Sequence, residues 1–272
     1  MMRYKVVVLD LDGTLTNSQK EVTSHTKETL FRYMENGGTV VLASGRPTYG
    51  VMPIARELEL NERGGYILSF NGGNIIDCKR EQTIYQKRLE KKIPARVGAM
   101  AKEFGICVLS YEGEHIITEN PEDVYVQKEA FINKMPVKKV GDFGSYIDFP
   151  VTKCLMTGDG DRLAELEPVI RERLGHENNV FRSEPFFLEV MPKGIDKAQS
   201  LGRLLAYLGM SVEEMAAFGD GYNDITMLEY AGLGVAMGNA QEEVKLSAGY
   251  IAPSNDEDGV AWTLEHVIMG EK

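Results

Sequence analysis

The chain has 272 residues, a formal net charge of −11 at neutral pH, 43% hydrophobic residues and 26% charged residues. This composition is typical of a globular protein with one or two domains and a sizeable core. A strongly acidic chain is a poor candidate for non-specific nucleic-acid binding, which depends on Lys and Arg neutralising phosphates. The three cysteines show no Cys-x-x-Cys spacing, so neither a disulfide framework nor a zinc site is indicated.

The apolar run nearest the N-terminus, 6–9, is only four residues long. A secretory signal needs about 7–15 apolar residues, and a membrane span needs roughly 18. We therefore expect a cytoplasmic protein with no membrane partner, and nothing in the sequence indicates an obligate protein partner.

Short apolar runs alternate with helical patterns in the first third of the chain. Ser24 is a candidate N-cap, Gly37 and Gly38 supply a helix stop, and Pro47 can open the next helix. Strands alternating with helices favour a parallel sheet with right-handed crossovers. The predicted strands are 5–9, 39–42 and 66–69, and a helix is predicted near 24–36.

The pattern changes near residue 83 and returns near residue 186. Between these points the apolar runs are less regular and are punctuated by Gly and Pro, which indicates a mixed α+β insert. After it, strands are predicted at 186–190, 215–218 and 233–236, with helices at 197–208, 223–230 and 259–269. The predicted fold is therefore α/β, with a Rossmann-like parallel-sheet core (1–82 and 186–272) and an inserted α+β domain (83–185).

Two carboxylates follow the first predicted strand, in the segment Asp10–Leu15. Burying one carboxylate is costly, and two close together need a cation or a shared proton. Asp10 and Asp12, followed by the flexible Gly13, are therefore candidates for metal and charge-transfer chemistry. The alternative interpretation is a strand that ends in an ordinary Asp-Gly turn.

Three further segments carry polar groups where predicted strands end or a helix begins. Ala43–Arg46 follows the second strand, Gly219–Asp224 follows the strand at 215–218, and Lys197 begins a helical pattern. Ligands of open parallel sheets bind at the carboxyl edge of the strands. The sequence therefore predicts acids, a hydroxyl and a cation at this edge.

Together these four segments resemble the haloacid dehalogenase superfamily of phosphohydrolases, in particular its Cof-type sugar phosphatase branch. The segments Gly234–Ala240 and Ser254–Val260 are also similar to that branch. The resemblance implies that the insert is a cap closing over the active site, and that the chain is a Mg²⁺-dependent phosphomonoester hydrolase of small phosphorylated metabolites.

The resemblance also implies a role for each matching acid. Asp10 would attack the phosphorus and form an aspartyl-phosphate, while Asp12 would act first as acid and then as base. Mg²⁺ would bind the Asp10 carboxylate, the Asp12 main-chain carbonyl and Asp220. Asp224 would contact the metal directly or through bound water. Acid work by Asp12 at neutral pH requires surroundings that favour its neutral form.

The phosphoryl group would be bound by charge and by hydrogen-bond donors, with Lys193 as a rival for the role of Lys197. Arg46 would reach the leaving group or the cap, and Asn71 is either a site residue or a turn residue. The implied donors are Ser44, the main-chain amides of Leu11 and Gly45, Lys197 and Asn223.

The sequence does not name the substrate. Sugar phosphates are the first expectation, followed by phosphorylated cofactors such as pyridoxal phosphate or flavin mononucleotide. A phosphomutase acting on hexose phosphates is the nearest alternative, and a non-enzymatic phospho-aspartate switch is a more distant one. Within the insert, Tyr111, Glu112 and His115 are candidates for substrate selection.

Overall fold

The structure is a computed structural model that describes residues 2–270. The chain divides into two compact units. One unit, called here the core unit, extends to Tyr85 and resumes at Asp196, and the other, called the inserted unit, is Gln86–Ile195.

The first part of the core unit alternates strands and helices as predicted. The N-cap of helix α1 is Thr23, one residue before the predicted cap Ser24, because the Thr23 side chain accepts a hydrogen bond from the Thr26 amide. The elements are β1 (Val6–Leu9), α1 (Ser24–Glu35), β2 (Thr39–Ala43), α2 (Thr48–Glu57), α3 (Leu60–Arg63), β3 (Gly65–Ser69), β4 (Asn74–Asp77) and β5 (Gln82–Gln86).

The inserted unit has mixed secondary structure, as its irregular pattern predicted. Its elements are α4 (Lys92–Phe104), β6 (Cys107–Glu112), β7 (His115–Thr118), α5 (Val124–Asn133), β8 (Val137–Lys139), α6 (Phe143–Tyr146), β9 (Cys154–Thr157), α7 (Gly160–Leu174), β10 (Asn178–Glu184) and β11 (Phe187–Pro192).

The remainder of the core unit returns to strand–helix alternation. Helix α8 begins at Lys197, as predicted, because the Asp196 side chain caps it by accepting a 2.8 Å hydrogen bond from the Gln199 amide. The elements are α8 (Lys197–Leu208), β12 (Met215–Gly219), α9 (Ile225–Tyr230), β13 (Leu233–Ala236), α10 (Glu242–Leu246), β14 (Tyr250–Ile251) and α11 (Gly259–Thr263), which continues as a π-helical segment (Leu264–Met269).

The core unit contains an eight-stranded sheet in the order β14-β13-β12-β1-β2-β3-β4-β5. The six strands from β14 to β3 run parallel, and β4 adds in antiparallel orientation. Leu9, the last residue of β1, pairs with Leu42 of β2 and Phe218 of β12. The carboxyl ends of these three strands are therefore level with one another, which is the predicted α/β arrangement.

Helices cover both faces of this sheet, which explains the uninterrupted apolar runs. Val7 and Leu9 pack with α1 and α2 residues in one apolar layer, while Val6 and Val8 pack with α8 residues in the other. All four side chains are fully buried. Strands buried on both faces show continuous rather than alternating hydrophobicity.

The inserted unit contains a second sheet, in the order β10-β11-β9-β6-β7-β8. All its pairs are antiparallel except β7 with β8. The apolar run at 186–190, predicted as a core strand, belongs instead to β11, where Val190 pairs with Cys154. The inserted unit therefore extends to Ile195 rather than 185, because an apolar run does not specify the sheet that it joins.

Over residues 2–270, no helix is both long enough and apolar enough to span a membrane.

His25 of α1 lies between two acids near the end of the chain. Its Nδ1 atom is 3.4 Å from Asp258 Oδ2, and its Nε2 atom is 3.2 Å from Glu265 Oε1. Burial by itself would lower the pKa of His25, but hydrogen bonds and charges of Glu265 and Asp258 raise it above its usual value. These acids therefore favour the protonated imidazole.

We expect this contact to stabilise the fold only when His25 is protonated. A raised folded-state pKa means that the stabilisation is fully present below about pH 6.5 and is lost as the pH rises through the folded pKa. Because the side chain is 48% exposed, the effect should be at most about 1 kcal/mol. Urea unfolding of wild type and His25→Gln at about pH 5.5 and 8.5 tests this. A stability difference that is the same at both pH values would contradict it.

Candidate active site

The predicted acids of the core unit come together at the carboxyl edge of its sheet. Asp10 follows β1 directly, and Asp220 follows β12 directly. Asp224 ends a 3-10 turn, Tyr222–Asp224, that leads into α9. One carboxylate oxygen from each of these three acids lies within 4.8 Å of the others. Parallel pairing of β1 with β12 accounts for this convergence, because it sets the two loops side by side.

Lys197 contacts two of the three acids of this cluster. Its Nζ atom donates to Asp10 Oδ1 at 2.7 Å, to Asp224 Oδ1 at 2.6 Å and to the Ala43 carbonyl at 2.8 Å. The side chain is fully buried. Burial alone would lower the pKa of Lys197, but the charges of Asp10 and Asp224 raise it above its usual value. The lysine is therefore held as a cation.

One ammonium group does not balance three acids. Burial and the neighbouring Asp224 charge raise the pKa of Asp10 to about 8, although Lys197 opposes the shift. Burial also raises the pKa of Asp220 to about 6, against the hydrogen bond from Thr14 and with a further contribution from Asp224. Both raised pKa values mean that the chain's own cations do not fully stabilise the ionised forms of these acids, which is the electrostatic setting of a cation site.

Asp224 uses both carboxylate oxygens within the protein. Oδ1 accepts from Lys197, and Oδ2 accepts from the main-chain amides of Asp220 at 3.0 Å and Gly221 at 2.9 Å. Gly219 makes room for it, since a Cβ at that position would lie 2.4 Å from the Asp224 Cβ. Asp224 thus fixes both the loop that carries Asp220 and the ammonium of Lys197.

Asp220 is held against the first loop. Thr14 Oγ1 donates to Asp220 Oδ1 at 2.7 Å. Gly13 has a φ of +88°, and a Cβ there would lie 2.3 Å from Asp220 Oδ2. A glycine is therefore required both by the backbone conformation and by the approach of the carboxylate.

The Asp12 carboxylate is bound by two cations, Arg46 and Lys20, rather than by residues of the acid cluster. Arg46 donates to it through Nε at 2.7 Å and Nη2 at 2.6 Å, and Lys20 donates at 2.9 Å. Burial would raise the pKa of Asp12, but the hydrogen bonds and charges of Arg46 and Lys20 lower it below its usual value. The structure thus holds Asp12 as a carboxylate, whereas acid work requires the neutral form.

Sequence reasoning missed Lys20. It belongs to a loop between β1 and α1, has a φ of +64° and is more than half exposed. No motif marks a single loop lysine, so its contact with Asp12 emerges only from the folded chain.

The second loop brings the predicted phosphate-binding hydroxyl to the same edge. Ser44 is 3% exposed, and its Oγ atom accepts a 3.1 Å hydrogen bond from the Arg46 amide. Asn223 donates through Nδ2 to Asn71 Oδ1 at 3.2 Å. Leu11 has a fully buried side chain, which anchors the main chain of the first loop in the apolar core.

Two C-terminal segments brace the first loop. Asn239 Nδ2 donates to the Gly13 carbonyl at 2.8 Å, and Asn255 Nδ2 donates to the Thr16 carbonyl at 2.9 Å. The Asn255 amide in turn donates to Asn239 Oδ1 at 3.0 Å. The loop of Asp10 and Asp12 is thereby fixed from the far end of the chain.

Three further candidates lie in the inserted unit and form hydrogen bonds there: Lys193, Tyr111 and Glu112. The Lys193 carbonyl accepts from Lys87, and the Tyr111 hydroxyl donates to Glu129 Oε1 at 2.6 Å. Glu112 accepts from Lys138 at 2.8 Å. Tyr111 and Glu112 therefore contribute to the packing of this unit.

A family model for haloacid dehalogenase-like hydrolases matches residues 7–264. The chain therefore belongs to the haloacid dehalogenase-like hydrolases, which confirms the predicted family.

Named relatives agree with this assignment. A Bacillus subtilis protein, 5-amino-6-(5-phospho-D-ribitylamino)uracil phosphatase, is 30% identical over 266 residues, which cover 94% of each chain. The crystal structure of a haloacid dehalogenase-like hydrolase from Bacteroides thetaiotaomicron is 53% identical, with a TM-score of 0.94, and the match covers 97% of this chain and 99% of that one. A subclass IIB sugar phosphatase structure is 27% identical, with a TM-score of 0.82, over 96% of this chain and 98% of that one. The chain is thus a phosphatase, as predicted.

Proposed function

We propose that this phosphatase hydrolyses small phosphorylated metabolites with Mg²⁺, through an aspartyl-phosphate on Asp10. The observation that carries the proposal is the buried Lys197 ammonium, which contacts the Asp10 carboxylate at 2.7 Å beside two further acids. A carboxylate nucleophile needs positive charge around it, because the phosphate that it attacks is itself an anion.

In the first step, an Asp10 carboxylate oxygen forms a bond to phosphorus and the ester oxygen leaves. Within the described residues, Asp10 Oδ1 accepts from Lys197 and Oδ2 accepts no hydrogen bond. Oδ2 is therefore the oxygen available for the attack, for a metal, or for both in turn. The leaving oxygen takes a proton from Asp12.

In the second step, a water attacks the phosphorus, Asp12 accepts its proton, and Asp10 and inorganic phosphate are released. Because the pKa of Asp12 is lowered, its carboxylate is ionised and able to accept that proton. The acid role of the first step requires that Asp12 leave Arg46 and Lys20 and pick up a proton. We propose that substrate oxygens compete for the Arg46 guanidinium and release Asp12, because guanidinium binds phosphate as well as carboxylate.

The residues of the cluster fit Mg²⁺, since all the side chains that converge there besides Lys197 offer hard oxygen atoms. We propose that Asp10, the Asp12 main-chain carbonyl and Asp220 hold the ion. Asp224, whose oxygens already accept hydrogen bonds from Lys197 and two main-chain amides, would orient the loop of Asp220 and would act on the ion through water. When bound, the ion supplies the positive charge that keeps these carboxylates ionised and draws phosphate oxygens toward them.

The phosphoryl oxygens would be met by donors from three loops. We propose the Ser44 hydroxyl, the Leu11 and Gly45 amides and the Asn223 side chain for this role. Arg46 would face the ester oxygen, beside the Asp12 that it contacts at 2.6 Å. Donors fixed before the reaction cost no reorganisation in the transition state.

For the substrate, we propose sugar phosphates, with phosphorylated cofactors second. The names of two relatives support this, since one is a sugar phosphatase and the other acts on a phosphoribityl compound. A panel of phosphometabolites with Mg²⁺, assayed for free phosphate, tests the proposal. Conversion of a hexose monophosphate into its isomer with little free phosphate would instead identify a phosphomutase.

Metal removal should abolish activity. We expect EDTA-treated protein to be inactive and Mg²⁺ to restore it, while Asp220→Asn should weaken metal affinity and turnover together. In a thermal-shift titration, Mg²⁺ should raise the melting temperature of wild type more than that of Asp220→Asn, because only a bound ligand stabilises the folded state.

Asp148→Asn is a matched control, since Asp148 is an exposed aspartate of the inserted unit. It should respond to Mg²⁺ as wild type does. Full phosphatase activity after complete metal removal would refute the metal assignment.

A further inference from the structure

The turn after β3 is strained and touches the candidate site. Phe70 and Asn71 both have a φ of 53°, and Gly72 has a φ of 94°. Consecutive left-handed residues are uncommon outside glycine, and they persist only where surrounding contacts determine them. The contacts made by this turn with three other segments of the site indicate what it does.

The main chain of the turn is tied to the phosphate-binding loop. The Phe70 amide donates to the Arg46 carbonyl, and the Asn71 amide donates to the Ser44 carbonyl, both at 2.9 Å. Two of the three residues from Ser44 to Arg46 are thus hydrogen-bonded to the turn. Movement of the turn would therefore move the loop.

The same turn is tied to the helix that carries Lys197. Ser200, one turn further along α8, donates through Oγ to the Gly72 carbonyl at 2.8 Å. A Cβ at Gly72 would lie 2.4 Å from Ser200 Oγ. The helix and the turn are therefore in direct contact at a position where only glycine fits.

The Asn71 side chain makes the third connection. Its Oδ1 atom accepts from Asn223 Nδ2 at 3.2 Å. A Cβ on Gly45 would lie 3.3 Å from both amide atoms of Asn71, so the amide group packs against the Gly45 main chain. Asn71 thus lies between Gly45 and Asn223, two proposed phosphoryl donors that come from different loops.

We infer that Asn71 is a positioning residue, whose side-chain amide sets the distance and orientation between the Gly45 amide and the Asn223 side chain for phosphoryl binding. This inference rests on the proposed function. A turn residue alone would need only a left-handed backbone, which glycine adopts more readily than asparagine does. A purely conformational role predicts that Asn71→Gly leaves phosphoryl binding intact, whereas the positioning role predicts that it impairs phosphoryl binding.

Asn71→Gly should keep the fold and impair phosphoryl binding. The turn tolerates glycine, so thermal unfolding should change little, while kcat/KM for an aryl phosphate with Mg²⁺ should fall ~10- to 100-fold, because donor misplacement of about 1 Å is that costly. The loss should appear mainly as a higher KM and weaker inhibition by inorganic phosphate. Lys134→Gly is the matched control, since Lys134 has a φ of 52° in the inserted unit, and it should match wild type.

A double-mutant cycle with Asn223→Ala measures the coupling between Asn71 and Asn223 in kcat/KM. A purely structural role of Asn71 would not produce such a coupling. If Asn71 acts through Asn223, the double variant should be little worse than the poorer single variant. Additive losses, or a wild-type kcat/KM in Asn71→Gly, would overturn the inference. Should Asn71→Gly unfold, Asn71→Ala, which also removes the side-chain amide, takes its place in the cycle.

The proposed function is tested separately, by the activity of wild type and its loss in Asp10→Asn. A wild-type enzyme that hydrolyses phosphate esters, together with a fully active Asn71→Gly, would leave the function standing and remove only the role of Asn71.

Discussion

Asp10→Asn should abolish hydrolysis of every phosphate ester that the wild type accepts. The amide nearly preserves the shape of the carboxylate but is not a nucleophile, so no phosphoenzyme can form. It also removes one acid from the cluster around Lys197, so the folded protein should be no less stable than wild type. Circular dichroism and an aryl phosphate assay measure both properties.

Asp12→Asn should fail in a different way. The nucleophile remains, but the proton donor and the base are lost, and loss of one acid–base group costs about 10²–10⁴-fold in rate. An activated aryl ester, whose leaving group needs no proton, should still transfer its phosphoryl group to Asp10. Hydrolysis of the intermediate should then be slow, since the attacking water has no base.

Acid-quenched Asp12→Asn protein should therefore carry phosphate on Asp10. Mass spectrometry of the peptide 4–20 can locate it, with Asp10→Asn as the control that stays unmodified. Phosphate on another residue, or wild-type turnover by Asp10→Asn, would be incompatible with the proposed mechanism.

Lys197→Met should lose both activity and stability. The ammonium contacts Asp10 and Asp224 while fully buried. Removing one partner of a buried ion pair leaves uncompensated charge and typically costs about 3–5 kcal/mol. Without the Lys197 ammonium, the pKa of Asp10 should rise further, so that less of the nucleophile is ionised. Urea unfolding and kcat/KM for an aryl phosphate measure the two effects.

Lys193→Met is the matched control, because Lys193 lies in the same stretch of sequence but donates no side-chain hydrogen bond among the described residues. It should retain the stability and aryl phosphatase activity of wild type. If Lys193→Met were the inactive variant and Lys197→Met the active one, the choice between the two lysines would be reversed.

Local sequence determined the strands that carry the chemistry. Val6–Leu9 is apolar at every position because both faces of β1 are covered. Asp10 follows it immediately, so the strand end and the acid are specified by the same few residues. The same holds for Lys197, whose place at the start of α8 is fixed by the Asp196 cap. Short-range pattern and capping suffice for such positions.

Only the tertiary structure decided which polar groups are partners. The Asp12 carboxylate is bound by Arg46, 34 residues away, and by Lys20, a loop residue without a motif. Hydrogen bonds of this kind depend on where loops meet in space, which periodicity does not encode. The ionised state of Asp12 follows from these contacts, so the sequence could not supply it.

The C-terminal end of the inserted unit illustrates the same limit. The apolar run at 186–190 was recognisable as a strand, yet its pairing with Cys154–Thr157 assigns it to the second sheet. A buried strand has the same composition in either sheet, because both sheets demand apolar side chains. Local sequence therefore determined that a strand forms there, and non-local hydrogen bonding, which depends on the position of both partners, determined which sheet it completes.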